Sequence, residues 1–181
     1  MRAFIGIELP EKLKSDIFHK FGQIEEAGIV GSKFVEKGNL HLTLKFLGDI
    51  SEEQAKDIHK KLSEIKFKKF EAKIGKIGFF PNEDYIRVVW IDLIAKEIFD
   101  LQKNIEEKLA NLKLPEENKE FQSHITIARV SKLKDKNIFL DKIRRINIKK
   151  SSFSVDKFSF IKSELTRQGP IYKIIKEFNL E

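Results

Sequence analysis

The chain of 181 residues contains only four histidines and three threonines, yet two of those threonines stand two positions after a histidine. His41-Leu42-Thr43-Leu44 returns as His124-Ile125-Thr126-Ile127. Random placement of the threonines would give two such coincidences in about one or two of every thousand sequences of this composition. In an extended segment side chains alternate between faces, so each copy sends its imidazole and hydroxyl to one side and its two aliphatic residues to the other. These residue types suit acid and base work on a phosphate. Imidazole titrates near neutral pH, so one neutral ring can take a proton from a nucleophile while a protonated partner gives one to the leaving oxygen. The threonine hydroxyls can hold the non-bridging oxygens and the added charge.

Zinc is the competing use for two histidines. Threonine is a poor zinc ligand, however, and neither histidine has a carboxylate or thiol at ligand spacing. With no cysteine in the chain, disulfides, thiolate metal sites and cysteine nucleophiles are excluded. No cofactor is called for. His19 and His59 lie on helical segments with no second catalytic group beside them, and both read as structural.

The elements that must position the two motifs follow from periodicity. Arg2 to Leu9 alternates and ends at Pro10, which predicts a strand followed by a helix from Pro10 or Glu11. Leu13, Ile17, Phe21 and Ile24 continue that helix to Gly28. Leu40 to Leu47 is a predicted strand, stopped by Gly48 and Asp49. Ser51 and Gln54 form a capping box for a helix through Ala55, Ile58, Leu62 and Ile65. Phe70 to Phe80 and Tyr85 to Asp92 read as a hairpin across Pro81-Asn82-Glu83-Asp84. Ile98, Leu101, Ile105, Leu109 and Leu112 predict a third helix, ended by Pro115 and the polar run Glu116 to Glu120. Phe121 to Val130 is a further strand, and a short helix spans about Asp135 to Arg145. Phe153 to Leu165 and Ile171 to Phe178 read as a last hairpin across residues 166–170. The sum is an α+β protein of mostly antiparallel strands, with no linker dividing it.

A hydrophobic content of 41% with 16 phenylalanines supplies a sizeable core and excludes a disordered tail. No apolar run approaches the roughly 20 residues that span a bilayer. The N-terminus reads as a strand and not a signal peptide, so no membrane association and a cytoplasmic location are expected. The formal net charge is +7. Ser131 to Lys162 carries ten basic and three acidic side chains, while the remainder of the chain is balanced. The excess is therefore regional and fits a phosphate-attracting surface, although solvated lysine faces also occur in proteins that bind no nucleic acid.

With both motifs in hand, the sequence resembles the 2H phosphoesterase superfamily, in particular its RNA 2′,3′-cyclic phosphodiesterase or 2′-5′ RNA ligase branch. The resemblance runs nearly end to end. It takes in Arg2-Ala3-Phe4-Ile5-Gly6-Ile7-Glu8-Leu9-Pro10, Leu40-His41-Leu42-Thr43-Leu44-Lys45-Phe46-Leu47-Gly48 and His124-Ile125-Thr126-Ile127-Ala128-Arg129. It closes on Ser163-x-Leu165 with Gly169 and Tyr172. Ser123 stands where relatives often have proline before the second histidine.

The resemblance implies one domain over residues 1–181, bilobal, with two pseudo-symmetric interleaved lobes of mostly antiparallel sheet and outer helices around a central cleft. Each lobe contributes one motif. It further implies His41 as proton donor, His124 as proton acceptor, Thr43 and Thr126 as phosphate ligands, and Arg129, Phe4 and Tyr172 as substrate-binding residues. Strict alternation would put Arg129 on the face opposite His124, unless the strand ends or bulges there. The implied substrates are RNA ends such as tRNA halves bearing a 2′,3′-cyclic phosphate. Hydrolysis would leave a 2′-phosphomonoester, and reversible 2′-5′ ligation would follow the same chemistry. A monomer is expected. Two readings compete with RNA-end hydrolysis: a noncatalytic RNA or nucleotide-binding module, and a phosphodiesterase of small cyclic nucleotides.

Overall fold

A computed structural model describes residues 1–26, 30–115, 120–148, 151–167 and 169–181. Gly28, Gln168, Lys149, Lys150 and all of the 116–120 run except Glu120 lie outside the described residues. In chain order the elements are β1 (Arg2–Glu8), α1 (Glu11–Glu26), β2 (Val30–Phe34), β3 (His41–Asp49), α2 (Glu52–Ser63), β4 (Phe70–Pro81) and β5 (Ile86–Ile94). They continue with α3 (Lys96–Leu109), β6 (His124–Leu133), α4 (Lys136–Arg145), β7 (Ser152–Val155), β8 (Lys157–Leu165) and β9 (Pro170–Asn179). The strands form one antiparallel sheet in the order β7-β4-β5-β6-β3-β1-β8-β9, with β2 added alongside β6.

The expected α+β architecture of two pseudo-symmetric lobes is present as two four-stranded halves meeting at β3 and β6. In one half, β1, α1 and β3 form a strand-helix-strand unit; in the other, β5, α3 and β6 repeat it. The halves are interleaved. β4 leaves the first unit to pair with β5, and β8 with β9 returns from the second to flank β1. The helices bury Leu13, Ile17, Phe21 and Ile24 of α1 and Ile98, Leu101, Ile105 and Leu109 of α3 in the same core as Leu42, Leu44, Ile125 and Ile127. Each such side chain contributes about 1.5–3 kcal/mol on leaving water. Thus the aliphatic positions of both motifs anchor their strands, and the polar positions are left facing the cleft.

Several boundaries differ from the sequence reading for physical reasons. The stretch Phe153 to Leu165 is not one strand. It breaks at Asp156 into β7 and β8, which lie toward opposite ends of the sheet order. A single residue therefore joins the first strand of that order to the last but one, and the sheet must curl to bring them together. Backbone bonds from Leu180 N to Asp156 O, 2.7 Å, and from Lys69 N to Glu181 O, 2.9 Å, hold that closure. β2 carries Gly31, Ser32 and Lys33 in a pattern with little intrinsic strand signal; its pairing with β6 makes it a strand. α3 ends at Leu109, and Leu112 reaches the core from the following turn instead of from a helix. The strand expected from Phe121 starts at His124.

The capping box is formed in both directions between Ser51 and Gln54. His59 packs its ring 5.9 Å from Phe178, a structural role.

Candidate active site

β3 and β6 touch through one pairing, Leu42 with Ile125. In an antiparallel pair this sets His41 beside Thr126 and Thr43 beside His124 on the cleft face, while Leu42 and Ile125 point into the core. The four polar groups of the two motifs are thereby gathered around a local two-fold axis. The imidazoles are close enough that His124 contributes to disfavouring a charge on His41.

Each histidine is oriented by its own backbone. His41 Nδ1 donates to Asn39 O at 2.7 Å, and His124 Nδ1 donates to Gln122 O at 2.7 Å. Tying down Nδ1–H leaves Nε2 as the reactive nitrogen of both rings. His41 Nε2 also meets Thr43 Oγ1 at 2.9 Å. Asn39 is itself held, its side-chain amide donating to Pro170 O at 2.7 Å. Ser123 fixes the approach to β6 by donating its hydroxyl to Leu93 O, which does by hydrogen bonding what a proline would do by stiffness.

Both strands carry a bulge just after the threonine. Opposite β1 the register skips Leu44, and opposite β5 it skips Ile127. One extra residue reverses the alternation beyond it. Phe46 therefore faces the cleft on β3, half exposed at 52%. Arg129 does the same on β6, which corrects the expectation from strict alternation that it would lie on the far face. Its guanidinium acts electrostatically on both His124 and Tyr172, so it stands at the cleft. Lys45, on the other side of the β3 bulge, is buried in an ion pair with Glu106 of α3 at 2.6 Å.

Phe4 and Tyr172 also come to the site. Their ring centroids lie 4.7 Å and 5.1 Å from that of His41. Tyr172 is paired across the β8–β9 ladder with Ser163. Around His124 the corresponding walls are Phe80 at 5.0 Å and Trp90 at 6.3 Å, two residues that sequence reasoning missed. The signal available was their position on the first and second strands beside the second motif, Trp90 on β5 and Phe80 on β4, which only the sheet order reveals.

Burial lowers the pKa of His41 from 6.5 to about 4, with the bond to Asn39 opposing and His124 and Lys14 adding to the effect. Burial also lowers His124, opposed by the bond to Gln122 and by the Asp92 carboxylate, while Arg129 adds to the lowering. Both rings are neutral at pH 7 in the free cleft. Burial raises the Tyr172 phenol, against the pull of Arg129 and Arg2.

The basic segment after the second motif is less open than its charge suggests. Of its eight described cations, Lys136, Arg144, Arg145, Lys157 and Lys162 each lie within 4.0 Å of a carboxylate, four of them with partners from outside the segment or at its far edge: Asp84, Glu83, Glu177 and Glu164. Among the described residues no three His, Asp or Glu side chains are grouped as a metal cage.

Comparison with known proteins gives a consistent picture. A family model described as LigT like Phosphoesterase matches residues 7–90 and again 92–172, each match enclosing one His-x-Thr. An RNA 2′,3′-cyclic phosphodiesterase of Methanocaldococcus jannaschii is 38% identical over 179 residues, covering 98% of this chain and 100% of that protein. One of Archaeoglobus fulgidus is 33% identical, covering 98% and 99%. A crystal structure from Thermus thermophilus superposes with a TM-score of 0.84 at 27% identity, covering 99% of this chain and 98% of that one. Escherichia coli LigT in complex with 3′-AMP shares the fold at TM-score 0.79 and 24% identity, covering 99% and 97%.

Proposed function

The chain belongs to the LigT-like phosphoesterase family, and we propose that it hydrolyses the 2′,3′-cyclic phosphate at RNA 3′ ends to a 2′-phosphomonoester. The observation that carries this reading is the diagonal tetrad of His41, Thr43, His124 and Thr126 around the Leu42–Ile125 pair. A phosphorus centred over that pair has an Nε2 on each side, as in-line displacement requires. The relatives whose names state the same activity support it along nearly the whole chain.

His124 Nε2 takes a proton from a water that attacks phosphorus, and His41 gives a proton to O3′ as the P–O3′ bond breaks. Thr43 and Thr126 donate to the non-bridging oxygens. Thr43 turns from His41 to the phosphate on binding. Arg129 faces the added negative charge and the RNA backbone, while Phe4 and Tyr172 confine the ribose beside His41. The donor gains its proton on substrate binding, because the anionic phosphate favours the imidazolium that burial alone disfavours. A 5′-hydroxyl in place of water would give a 2′-5′ linkage by the same steps, a finer capacity of the same site. No metal takes part, and the chain acts as a single domain in the cytoplasm.

The test is an oligoribonucleotide ending in a 2′,3′-cyclic phosphate, incubated with and without EDTA. The expected product is the 2′-phosphomonoester at equal rates in both. Saturable binding without turnover would leave a binding module, and loss of activity restored by zinc would overturn the two-histidine mechanism. Comparison with a cyclic mononucleotide and a tRNA half then ranks the substrate classes.

A further inference from the structure

We infer that Lys33 of β2 and Lys132 of β6 extend Arg129 into a track for the RNA backbone, Lys33 and Arg129 receiving the phosphate 5′ of the terminal nucleotide and Lys132 the phosphate before it. The inference rests on the RNA-end reading above and names the residues by which that site would prefer a chain to a single nucleotide.

The track comes from a second bulge on β6. Its pairing with β2 joins Phe34 to Ala128, Lys33 to Arg129 and Ser32 to Val130, then skips Ser131 and resumes with Gly31 opposite Lys132. The bulge at Ile127 brings Arg129 to the cleft face, and the bulge at Ser131 returns Lys132 to it. Burial follows the same alternation. Val130 is only 5% exposed, and Leu133 and Phe34 pack against the core, while Arg129, Lys132 and Lys33 are exposed on the other face. The cleft face of β6 therefore carries His124, Thr126, Arg129 and Lys132 in order. Lys33 stands beside Arg129 across the strand pair. A backbone bond from Val35 N to Ile127 O, 2.8 Å, carries the attachment of β2 up to the first bulge.

These cations lie on the His41 side of the phosphate. β3 is antiparallel to β6, so the direction from Thr126 to Arg129 is also that from His41 to Asn39, whose amide holds Pro170 O. There the turn of the β8–β9 hairpin reaches β2. A Cβ at Gly169 would stand 3.1 Å from Lys33 Nζ, and the glycine has a φ of 142° that side-chain-bearing residues avoid. The missing side chain leaves room for the lysine at the start of the strand that brings Tyr172 to His41. Arg129 acts electrostatically on the same tyrosine.

A terminal ribose confined by Phe4 and Tyr172 thus has two cations where its 5′-phosphate leaves the cleft. Arg129 and Lys132 are at most about 10 Å apart along the strand, which suits successive phosphates of an extended chain. The guanidinium can fork onto one phosphate, and the ammonium groups add charge without reading sequence. The track runs away from the His124 end, so it does not compete with the nucleophile, whether water or a 5′-hydroxyl.

The test compares a cyclic mononucleotide, a dinucleotide and a trinucleotide, each ending in a 2′,3′-cyclic phosphate, so that internal phosphates are added singly. Lys33→Gln is expected to lower kcat/KM about fivefold or more for the dinucleotide and trinucleotide, mainly through KM, and to leave the mononucleotide within about twofold. Lys132→Gln should do this for the trinucleotide alone. Wherever kcat/KM falls, its logarithmic dependence on salt should flatten by about 0.7, the share of one contact to a single strand. Lys33→Arg should retain the preference for the longer substrates. Turnover of the mononucleotide reports that each variant is folded. Equal losses on all three substrates, or no loss on any, overturn the inference while leaving hydrolysis intact. Absence of wild-type turnover on all three would overturn the hydrolytic reading itself, and the inference with it.

Discussion

The two halves of the cleft share a backbone and differ in their side chains. From histidine onward, the first seven residues of β3 and of β6 follow the same order of burial, with the same 2.7 Å bond from Nδ1 to the carbonyl two residues back and the same bulge after the threonine. Around that frame the equivalent positions diverge. Gly6 corresponds to Trp90, Phe46 to Arg129, and Glu8, which shares Lys14 with Glu11 at 4.0 Å and 3.5 Å, to Asp92. The repeated backbone can deliver two imidazoles to one atom, but only the unlike surroundings can give them different work.

The largest effects should fall on the shared frame. His41→Ala and His124→Ala are each expected to lower kcat by about a hundredfold or more, with thermal unfolding of the variants close to wild type. The double variant should lose little beyond either single one, because the two groups act in the same step. Full turnover by either would break the pairing of the halves into one site. Thr43→Ala and Thr126→Ala come next, at about tenfold to a hundredfold in kcat, measured under saturating substrate.

Replacing Arg129 by Gln probes the first unlike pair. Its expected signature is a rise in KM of about tenfold on an oligonucleotide with a smaller change in kcat, since a guanidinium facing the backbone contributes mainly to binding. A kcat loss equal to that of the histidine variants would move Arg129 from binding into the chemical step.

The halves also differ in how they hold a proton. Burial lowers both histidines; His124 and Lys14 add to the effect at His41, while at His124 Arg129 adds to it and Asp92 opposes it. NMR titration of the free protein should therefore show His41 near 4 and His124 below 6.5. The reactive form carries one proton on the pair, so kcat/KM is expected to peak on the acid side of 6.5 and to fall as pH rises through neutrality. A bound phosphate raises both values, so the falling limb of kcat should lie at higher pH than that of kcat/KM. Coincident limbs would mean that the phosphate does not sit between the rings.

How much of this was legible follows the same division. The His-x-Thr repeat and its aliphatic partners are written in period two, so the tetrad and the core face of each strand could be read directly. What escaped depends on pairing partners. The bulges at Leu44 and Ile127 depend on how β1 and β5 dock, and without them Arg129 points the wrong way. Phe80 and Trp90 read as ordinary strand residues until β5 is known to flank β6 and β4 to follow it in the sheet. The break at Asp156 is set by curling of the whole sheet, because nothing local distinguishes it from a continuous strand. β2 has no pattern of its own and exists through β6.

The smallest expected effect concerns the basic segment. Its charge suggested an RNA surface beside the second motif, yet Arg144 is paired with Glu83 and Arg145 meets Asp141 at 2.7 Å. Both side chains are solvent-exposed, so each pair is weak, on the order of 0.2–1 kcal/mol. A surface already balanced in this way adds little net field at the cleft, which lies within reach of Arg129. Arg144→Glu with Arg145→Glu is therefore expected to change kcat/KM by less than about threefold for both a long RNA and a dinucleotide, and to leave the salt dependence of RNA binding nearly parallel to wild type. Arg129→Gln should flatten that dependence in comparison. If the double reversal instead weakened the long RNA tenfold and spared the dinucleotide, the segment would be an RNA surface, and recognition would extend from the β6 half alone.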